Sequence, residues 1–193
     1  PSPYTGSVVN GSSWTGTYGL GLHDLDNVGN VVTDNLNDYA TYSSIVGLLG
    51  TGVRITVQND GPTFPSGTFG GFVIAREGGL FDANLLPATT ISLYNNGTFV
   101  GSQTGASLLG AGALTLSGGR TVVGFKSTAA FNRIKITIDN GLINLGLGGD
   151  YRIYYAFVIR DTDGDGTPDC IDNCAPGNNS SDIDGDGIPD DCD

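Results

Sequence analysis

The clearest pattern in the chain is a strict alternation of apolar and polar side chains near its centre. Ile134, Ile136 and Ile138 alternate with Lys135 and Thr137. A period of two places successive side chains on opposite faces of a strand, so one face is buried and the other meets water. This run therefore predicts a β-strand with one buried face and one face exposed to solvent.

Similar short runs, rich in β-branched and aromatic residues, recur along the first 160 residues and are separated by turn signals. The predicted strands are Val53–Gln58, Phe72–Ala75, Thr90–Tyr94, Thr98–Gly101, Thr121–Phe125, Ile134–Ile138 and Tyr151–Ile159. Asn95-Asn96-Gly97 between two of them is a hairpin signal. Ser43–Leu49 and Ser107–Gly112 are read as short helical turns or apolar loops. The pattern predicts an all-β domain, a jelly-roll-like β-sandwich.

Charge divides the chain into two parts. The sequence holds 20 acidic and 8 basic residues, a net charge of −12, and residues 161–193 contain 11 of the acids and no base. Residues 1–160 are therefore nearly neutral. We predict a sandwich domain at 1–160 followed by a distinct acidic tail at 161–193. Nucleic acid is an unlikely partner because no basic stripe exists, and no apolar run is long enough to predict a membrane span.

The acids of the tail have the spacing of calcium-binding loops. Carboxylates at positions 1, 3, 5, 9 and 12, with Gly at position 6, form a twelve-residue pattern that repeats 21 residues later. This is the ligand spacing of an EF-hand loop, in which position 7 contributes its backbone carbonyl. The predicted ligands are Asp161, Asp163, Asp165, Thr167, Asp169 and Asp172 in the first loop and Asp182, Asp184, Asp186, Ile188, Asp190 and Asp193 in the second. We expect about two Ca²⁺ ions.

Helices are not expected beside these loops, because Pro168 and Pro189 occupy position 8 among dense Gly and Asp. The motif D-x-D-x-D-G-x-P-D, followed by D-N-C at Asp172 to Cys174, resembles the thrombospondin type 3 repeat. The resemblance implies chain wrapped around calcium with little regular secondary structure. A disordered acidic tail and a dockerin, whose loops lead into helices, are the alternatives.

All three cysteines lie in the tail, at Cys170, Cys174 and Cys192. The resemblance to the thrombospondin type 3 repeat implies a disulfide between Cys174 and Cys192, with Cys170 left over. The sequence itself permits three single pairings and leaves the choice open. Disulfides and weak calcium sites both suit an oxidising, calcium-rich environment, so we predict an extracellular, secreted or cell-surface protein.

The sandwich domain also resembles domains of secreted bacterial surface proteins, especially those of Bacteroidota-like bacteria. The stretch T-F-P-S-G-T-F-G-G-F-V-I-A at Thr63–Ala75 and the run R-I-Y-Y-A-F-V at Arg152–Val158 carry this likeness. Such proteins often join β-sandwiches to calcium segments of the thrombospondin type 3 kind. The resemblance implies no enzymatic activity.

No motif for catalysis stands out. The chain has one histidine, His23, without a nucleophile-elbow motif, and a lone histidine beside acids is usually structural. Glycoside hydrolysis requires two carboxylates, but no spacing selects a pair among the body's candidates. These are Asp24, Asp26, Asp60, Glu77, Asp82 and Asp139. We therefore predict that the protein is not an enzyme.

Two functions of different classes remain. The first is a calcium-binding structural protein whose stiffened tail connects copies head to tail in a surface layer or fibre, that is, a homopolymer. The uncharged stretch Ser102–Gly119, which is either core filler or a contact with a neighbour, is one hint of assembly. The second is a carbohydrate-binding or adhesive module for cell-surface glycans, with Trp14 and Tyr18 as the candidate glycan contacts. A single Trp is more often a core residue than a sugar platform.

The calcium loops generate a direct prediction. Isothermal titration should give about two bound Ca²⁺ per chain, and Asp165→Ala should lower this to about one because it removes the position-5 ligand of one loop. Asp191→Ala is the matched control, since Asp191 lies in the second loop at position 10, where no ligand is needed. Equal calcium uptake by the two variants would contradict the ligand assignment.

Overall fold

The computed structural model describes residues 2–3, 6–9, 13–20, 22–46, 51–76, 85–109, 115–116, 119–139, 150–160 and 183. Within these ranges the strands form two antiparallel sheets that enclose a common core. The predicted all-β sandwich is confirmed. The tail, with its predicted calcium ligands and cysteines, lies outside the described residues except for Ile183, so its calcium sites and disulfide stay predictions.

Most strands are short and follow one another through brief connections. In chain order they are β1 (Ser2–Pro3), β2 (Ser7–Val8), β3 (Gly16–Tyr18), β4 (Leu22–Asp26), β5 (Ala40–Val46), β6 (Gly52–Gln58), β7 (Phe69–Arg76), β8 (Thr89–Asn95), β9 (Thr98–Thr104), β10 (Thr115–Leu116), β11 (Arg120–Lys126), β12 (Arg133–Asp139) and β13 (Tyr151–Ile159). Two 3₁₀ turns, Val28–Val32 and Gly105–Leu109, and one helical turn, α1 (Leu85–Ala88), complete the described elements.

The chain crosses repeatedly between the two sheets. Sheet A has the order β10-β11-β7-β13-β5-β4, and β1 pairs with β13 beside it. Sheet B has the order β2-β6-β12-β8-β9, and β3 also pairs with β6. Each pairing between the described strands is antiparallel. Strands that are neighbours in a sheet are therefore often distant in sequence, and residues from separate segments meet on one face.

The core lies between the sheets and is built from the inward side of each strand. Ile134, Ile136 and Ile138 of β12 are almost completely buried, and they pack in one cluster with Phe72 and Ile74 of β7. Burying a side chain of this size contributes about 1.5–3 kcal/mol. The isoleucine alternation thus fixes which face of β12 turns inward, and it forces Arg133, Lys135 and Thr137 outward.

Sheet A carries a second apolar cluster, which includes Phe69, Val73, Tyr155 and Phe157. Phe157 is fully buried, and its ring lies close to two glycines on the neighbouring strands. Gly71 pairs with Phe157 on one side and with Gly124 on the other. The absence of side chains at both glycines leaves the space that the phenylalanine ring occupies.

The seven predicted strands are all present, and several extend by one to three residues beyond the predicted limits. The predicted hairpin joins β8 to β9, with Asn96 and Gly97 at φ 48° and 84°. Two consecutive residues of positive φ are typical of a type I′ turn, for which Asn-Gly is a preferred pair. Asn96 also exchanges hydrogen bonds with Asn132: its N–H donates to Asn132 Oδ1 and its Oδ1 accepts from Asn132 Nδ2, each at 2.9 Å.

The interpretation of Ser43–Leu49 as a helical turn or apolar loop was wrong in its described part. Residues 43–46 continue β5, which pairs with β13 and β4. In contrast, Ser107 to Leu109 do lie in a 3₁₀ turn, and Leu108 is fully buried in the core. This part of the uncharged stretch therefore fills the core of its own sandwich.

The close packing of Phe157 against Gly71 and Gly124 gives a stability prediction. A Cβ at Gly71 would overlap the backbone carbonyl oxygen of Val123 and lie 2.9 Å from the Phe157 ring. Gly71→Ala should lower the free energy of unfolding by about 1–3 kcal/mol, since neither neighbour can move cheaply. Urea unfolding measures this change. Gly29→Ala is the control because no atom lies within 4 Å of its Cβ position, and an equal loss in both variants would contradict the close packing.

Candidate functional site

The outward face of sheet B is polar, as the alternation of its strands requires. On β12, Arg133, Lys135 and Thr137 are partly exposed, whereas the isoleucines between them are buried. The register places Arg133 between Gln58 of β6 and Tyr94 of β8. Side chains from three strands that are far apart in sequence therefore form one continuous outer surface.

Trp14 reaches this surface from the edge of the sheet, and Thr56 of β6 holds it there. The Thr56 hydroxyl donates to the Trp14 carbonyl oxygen at 2.7 Å, and the Thr56 N–H donates to Thr15 Oγ1 at 3.0 Å. Thr56 is fully buried, so both of its polar groups need partners within the protein. Two hydrogen bonds to adjacent residues fix the backbone from which the indole extends across the sheet.

The indole begins a row of three aromatic rings, which we call the aromatic row: Trp14, Tyr94 and Phe99. The Trp14 and Tyr94 ring centroids lie 5.1 Å apart with an interplanar angle of 82°. Tyr94 and Phe99 follow at 5.7 Å and 70°. Both are edge-to-face contacts, a preferred geometry for aromatic pairs. Phe99 is 58% exposed at the β9 end, which is unusual for so large an apolar ring.

Two cations lie against the aromatic row. The Lys135 ammonium is 5.6 Å from the centroid of Trp14 and 4.9 Å from that of Tyr94. The Arg133 guanidinium is 5.3 Å from the centroid of Trp14, and its Nε donates to Gln58 Oε1 at 2.6 Å. Cation–π attraction of this kind contributes about 0.5–1 kcal/mol at exposed positions. The cations orient the rings and bring positive charge to the surface of the sheet.

Tyr18 of β3 lies elsewhere on the same face, over Gly52 of β6. A Cβ at Gly52 would lie 2.6 Å from the Tyr18 hydroxyl oxygen, so the glycine makes room for the ring. The Arg54 guanidinium is 4.6 Å from the Tyr18 centroid. Burial and the negative charge of Asp139 raise the pKa of Tyr18 above 10.0, while Arg54 acts to lower it. The phenol therefore stays neutral through the physiological range.

Hydroxyl side chains continue the face beyond the rings. The Thr90 and Thr104 hydroxyls are 2.8 Å apart and share a hydrogen bond between β8 and β9. Ser102 pairs with Ser92 in the same two strands and is exposed. The face thus combines apolar rings with groups that both donate and accept hydrogen bonds.

Both residues predicted as glycan contacts, Trp14 and Tyr18, lie on this face. Tyr94 and Phe99 were not among the predicted site residues. They flank the Asn96-Gly97 turn, and outward alternation along that hairpin is the signal that would have identified them. The role of all four rings in binding stays a prediction.

The other predicted sites are not brought together with this face. His23 lies on β4 of sheet A, and its Nδ1 has no hydrogen-bond partner. Among the described residues, no group of three or more His, Cys, Asp or Glu side chains is arranged to hold a metal ion. The twelve predicted calcium ligands lie outside those residues. No described helix is long and apolar enough to cross a membrane.

Comparisons with known proteins find only distant structural likenesses. No family model matches the chain, and no curated protein matches it. A mutant of the lectin-binding domain of Lectinolysin, complexed with Lewis b, is 14% identical with a TM-score of 0.43, over 72% of this chain and 92% of that domain. A mutant of the carbohydrate-binding module CBM29-2 complexed with mannohexaose is 10% identical with a TM-score of 0.36, over 81% and 86%. Likenesses at this level of identity concern the fold alone and not a shared site.

The Tyr18 environment predicts a pH dependence. A pKa raised by folding favours the neutral phenol in the folded state, so its contribution to stability is present below pH 10 and is lost as the pH rises further. Asp139→Asn should lower the Tyr18 pKa because it removes the nearby negative charge, and Arg54→Gln should raise it. Tyrosinate absorbance during a pH titration measures both shifts.

Tyr18→Phe identifies which part of that titration belongs to this residue. Tyr155→Phe removes a second tyrosine whose pKa is raised by burial. If Asp139→Asn and Arg54→Gln moved the Tyr18 pKa in the same direction, the electrostatic account would be incorrect.

Proposed function

We propose that the sandwich is a non-catalytic carbohydrate-binding module of an extracellular protein and that it binds glycans on the outward face of sheet B. The observation that carries this proposal is the aromatic row. Three rings in contact, ending in a largely exposed phenylalanine, cross a sheet face that is otherwise polar. Exposed apolar groups rimmed by polar residues are typical of binding sites.

The chemistry of the face suits a sugar ring. A pyranose has an apolar face of C–H groups and a rim of hydroxyls, so it needs an apolar platform beside donors and acceptors. Phe99 provides exposed ring surface, and Ser102 and Thr104 on the same strand are exposed hydroxyls. A few polar groups beside an apolar surface fix the orientation of a ligand.

The open shape of the face favours a polymer over a small molecule. The aromatic row extends over β8, β9 and β12, with strands spaced about 4.8 Å apart. A chain of several sugar units can contact such a surface at successive points, and each contact adds to the affinity. The acidic tail would then serve as a calcium-stiffened connector, as the sequence predicts. Nothing in the described ranges bears on self-association.

Removal of an exposed ring tests the proposal. Phe99→Ala should weaken binding to a recognised polysaccharide at least about tenfold, or about 1.4 kcal/mol, since buried aromatic contacts dominate binding energies. Glycan arrays and affinity electrophoresis with soluble polysaccharides identify the ligand and measure the loss. Trp14→Ala should have an effect at least as large.

Leu22→Ala is the matched control, because Leu22 is 65% exposed on β4 of the other sheet. Thermal unfolding of each variant separates lost binding from lost folding. Binding that survives both Phe99→Ala and Trp14→Ala would place the glycan site elsewhere. Failure of the intact protein to bind any glycan would reject the proposed function.

A further inference from the structure

The cations of the aromatic row differ from Arg120 of sheet A in how they are engaged. Arg120 donates to the Leu36 carbonyl oxygen and to Asn37 Oδ1, each at 2.9 Å. Its guanidinium also lies 4.0 Å from the Tyr154 centroid. Arg120 thus uses both terminal nitrogens within the protein and holds the loop before β5.

Lys135 has no such partner. Its ammonium contacts the Trp14 and Tyr94 rings, and within the described ranges no carboxylate pairs with it. An ammonium carries three N–H donors, and aromatic faces satisfy none of them as a carboxylate would. Lys135 is partly exposed, so these donors can reach a ligand lying on the rings.

Arg133 adds a second cation beside Trp14. Its Nε–H donates to Gln58, which leaves the terminal nitrogens of the guanidinium without a hydrogen-bond partner in the described part of the chain. A guanidinium fork matches the geometry of a carboxylate or a sulfate. Asp139, on the same strand, raises the pKa of the Tyr18 phenol. Among the described residues, Lys135 and Arg133 contact aromatic rings and Gln58, and neither contacts a carboxylate.

We propose that the glycan recognised by the aromatic row is anionic, with a carboxylate or sulfate group bound by Lys135 and Arg133. This inference rests on the proposed function, since it assigns the ligand class of the same face. A sugar ring stacked on the row would place an acidic substituent within reach of both cations. Charge complementarity at such a site selects the partner more than it raises affinity.

The anionic ligand has to overcome the net charge of −12 carried by the whole chain. Eleven of the acids belong to the tail, and residues 1–160 are nearly neutral, with nine acids and eight bases. The local pair of cations therefore decides the interaction at the face. Binding should weaken as salt is added, because the contacts lie at a solvent-exposed surface.

The test compares polymers that share a backbone and differ in charge. Polygalacturonate is paired with highly methyl-esterified pectin, and dextran sulfate with dextran, in affinity electrophoresis and titration calorimetry. At least one charged member should bind about tenfold or more tightly than its neutral partner, and which pair shows the difference separates carboxylate from sulfate recognition.

Variants at Lys135 connect this preference to the site. Lys135→Gln should lower affinity for the charged polymer about fivefold and change affinity for the neutral partner less than about twofold. Lys135→Arg should retain the preference because it keeps the positive charge. Lys126→Gln, on β11 of sheet A, is the matched control and should change neither affinity.

The outcomes separate the two proposals. Binding of neutral polymers that is lost in Phe99→Ala but is indifferent to charge would overturn the anionic assignment and leave the glycan-binding function intact. If inorganic polyphosphate bound as tightly as the charged glycans and Phe99→Ala did not change this binding, the attraction would be to charge alone. That result would overturn the anionic-glycan assignment. Absence of binding to both charged and neutral glycans would reject both.

Discussion

The pleat of β12 is the constraint on which both the core and the candidate site depend. Successive side chains of a strand point to opposite faces. Burial of three alternate isoleucines therefore directs Arg133, Lys135 and Thr137 toward solvent. A register slip of one residue would bury the charged side chains of Arg133, Lys135 and Asp139 and expose three isoleucines. The hydrophobic energy that stabilises the sandwich therefore also fixes the cations on its surface.

The aromatic row depends on a different kind of constraint. Tyr94 and Phe99 belong to a hairpin whose turn conformation is imposed by Asn96 and Gly97. Trp14 lies in the segment just before β3. Its backbone is fixed because buried Thr56 donates hydrogen bonds to Trp14 and Thr15. A local turn and one buried hydroxyl thus bring the three rings together.

Much of the fold could be predicted because local sequence patterns identify several of its strands. The isoleucine alternation of β12, the Asn-Gly turn and the apolar run of β13 each identify an element without reference to the rest of the chain. β4 and β5 were both missed because β4 contains two Asp and β5 two Ser, residues whose propensities favour turns. Pairing with β13 at Ala40–Tyr42 and with β4 at Ser43 and Ser44 outweighs that preference in β5.

The candidate site was less accessible to sequence reasoning for a physical reason. Trp14 and Tyr18 were identified by residue type, but their neighbours Lys135 and Tyr94 are set by antiparallel registers between distant strands. No local pattern encodes which residue of β8 lies beside which residue of β12. Only the pairing of both strands, fixed by the shared core, reveals that a lysine lies between two rings.

The rings differ in how far structure alone accounts for them. Tyr18 covers Gly52, and the Trp14 ring packs against Tyr94 and two cations, so both rings contribute packing even in a sandwich that binds nothing. Phe99 makes no comparable packing contribution, since more than half of its surface is exposed and its contact within the row is a single edge-to-face pair. An exposed phenylalanine gains little stability and adds a risk of unwanted association. Its place at the end of the row, beside the cations and hydroxyls of the same face, is explained by a ligand better than by folding.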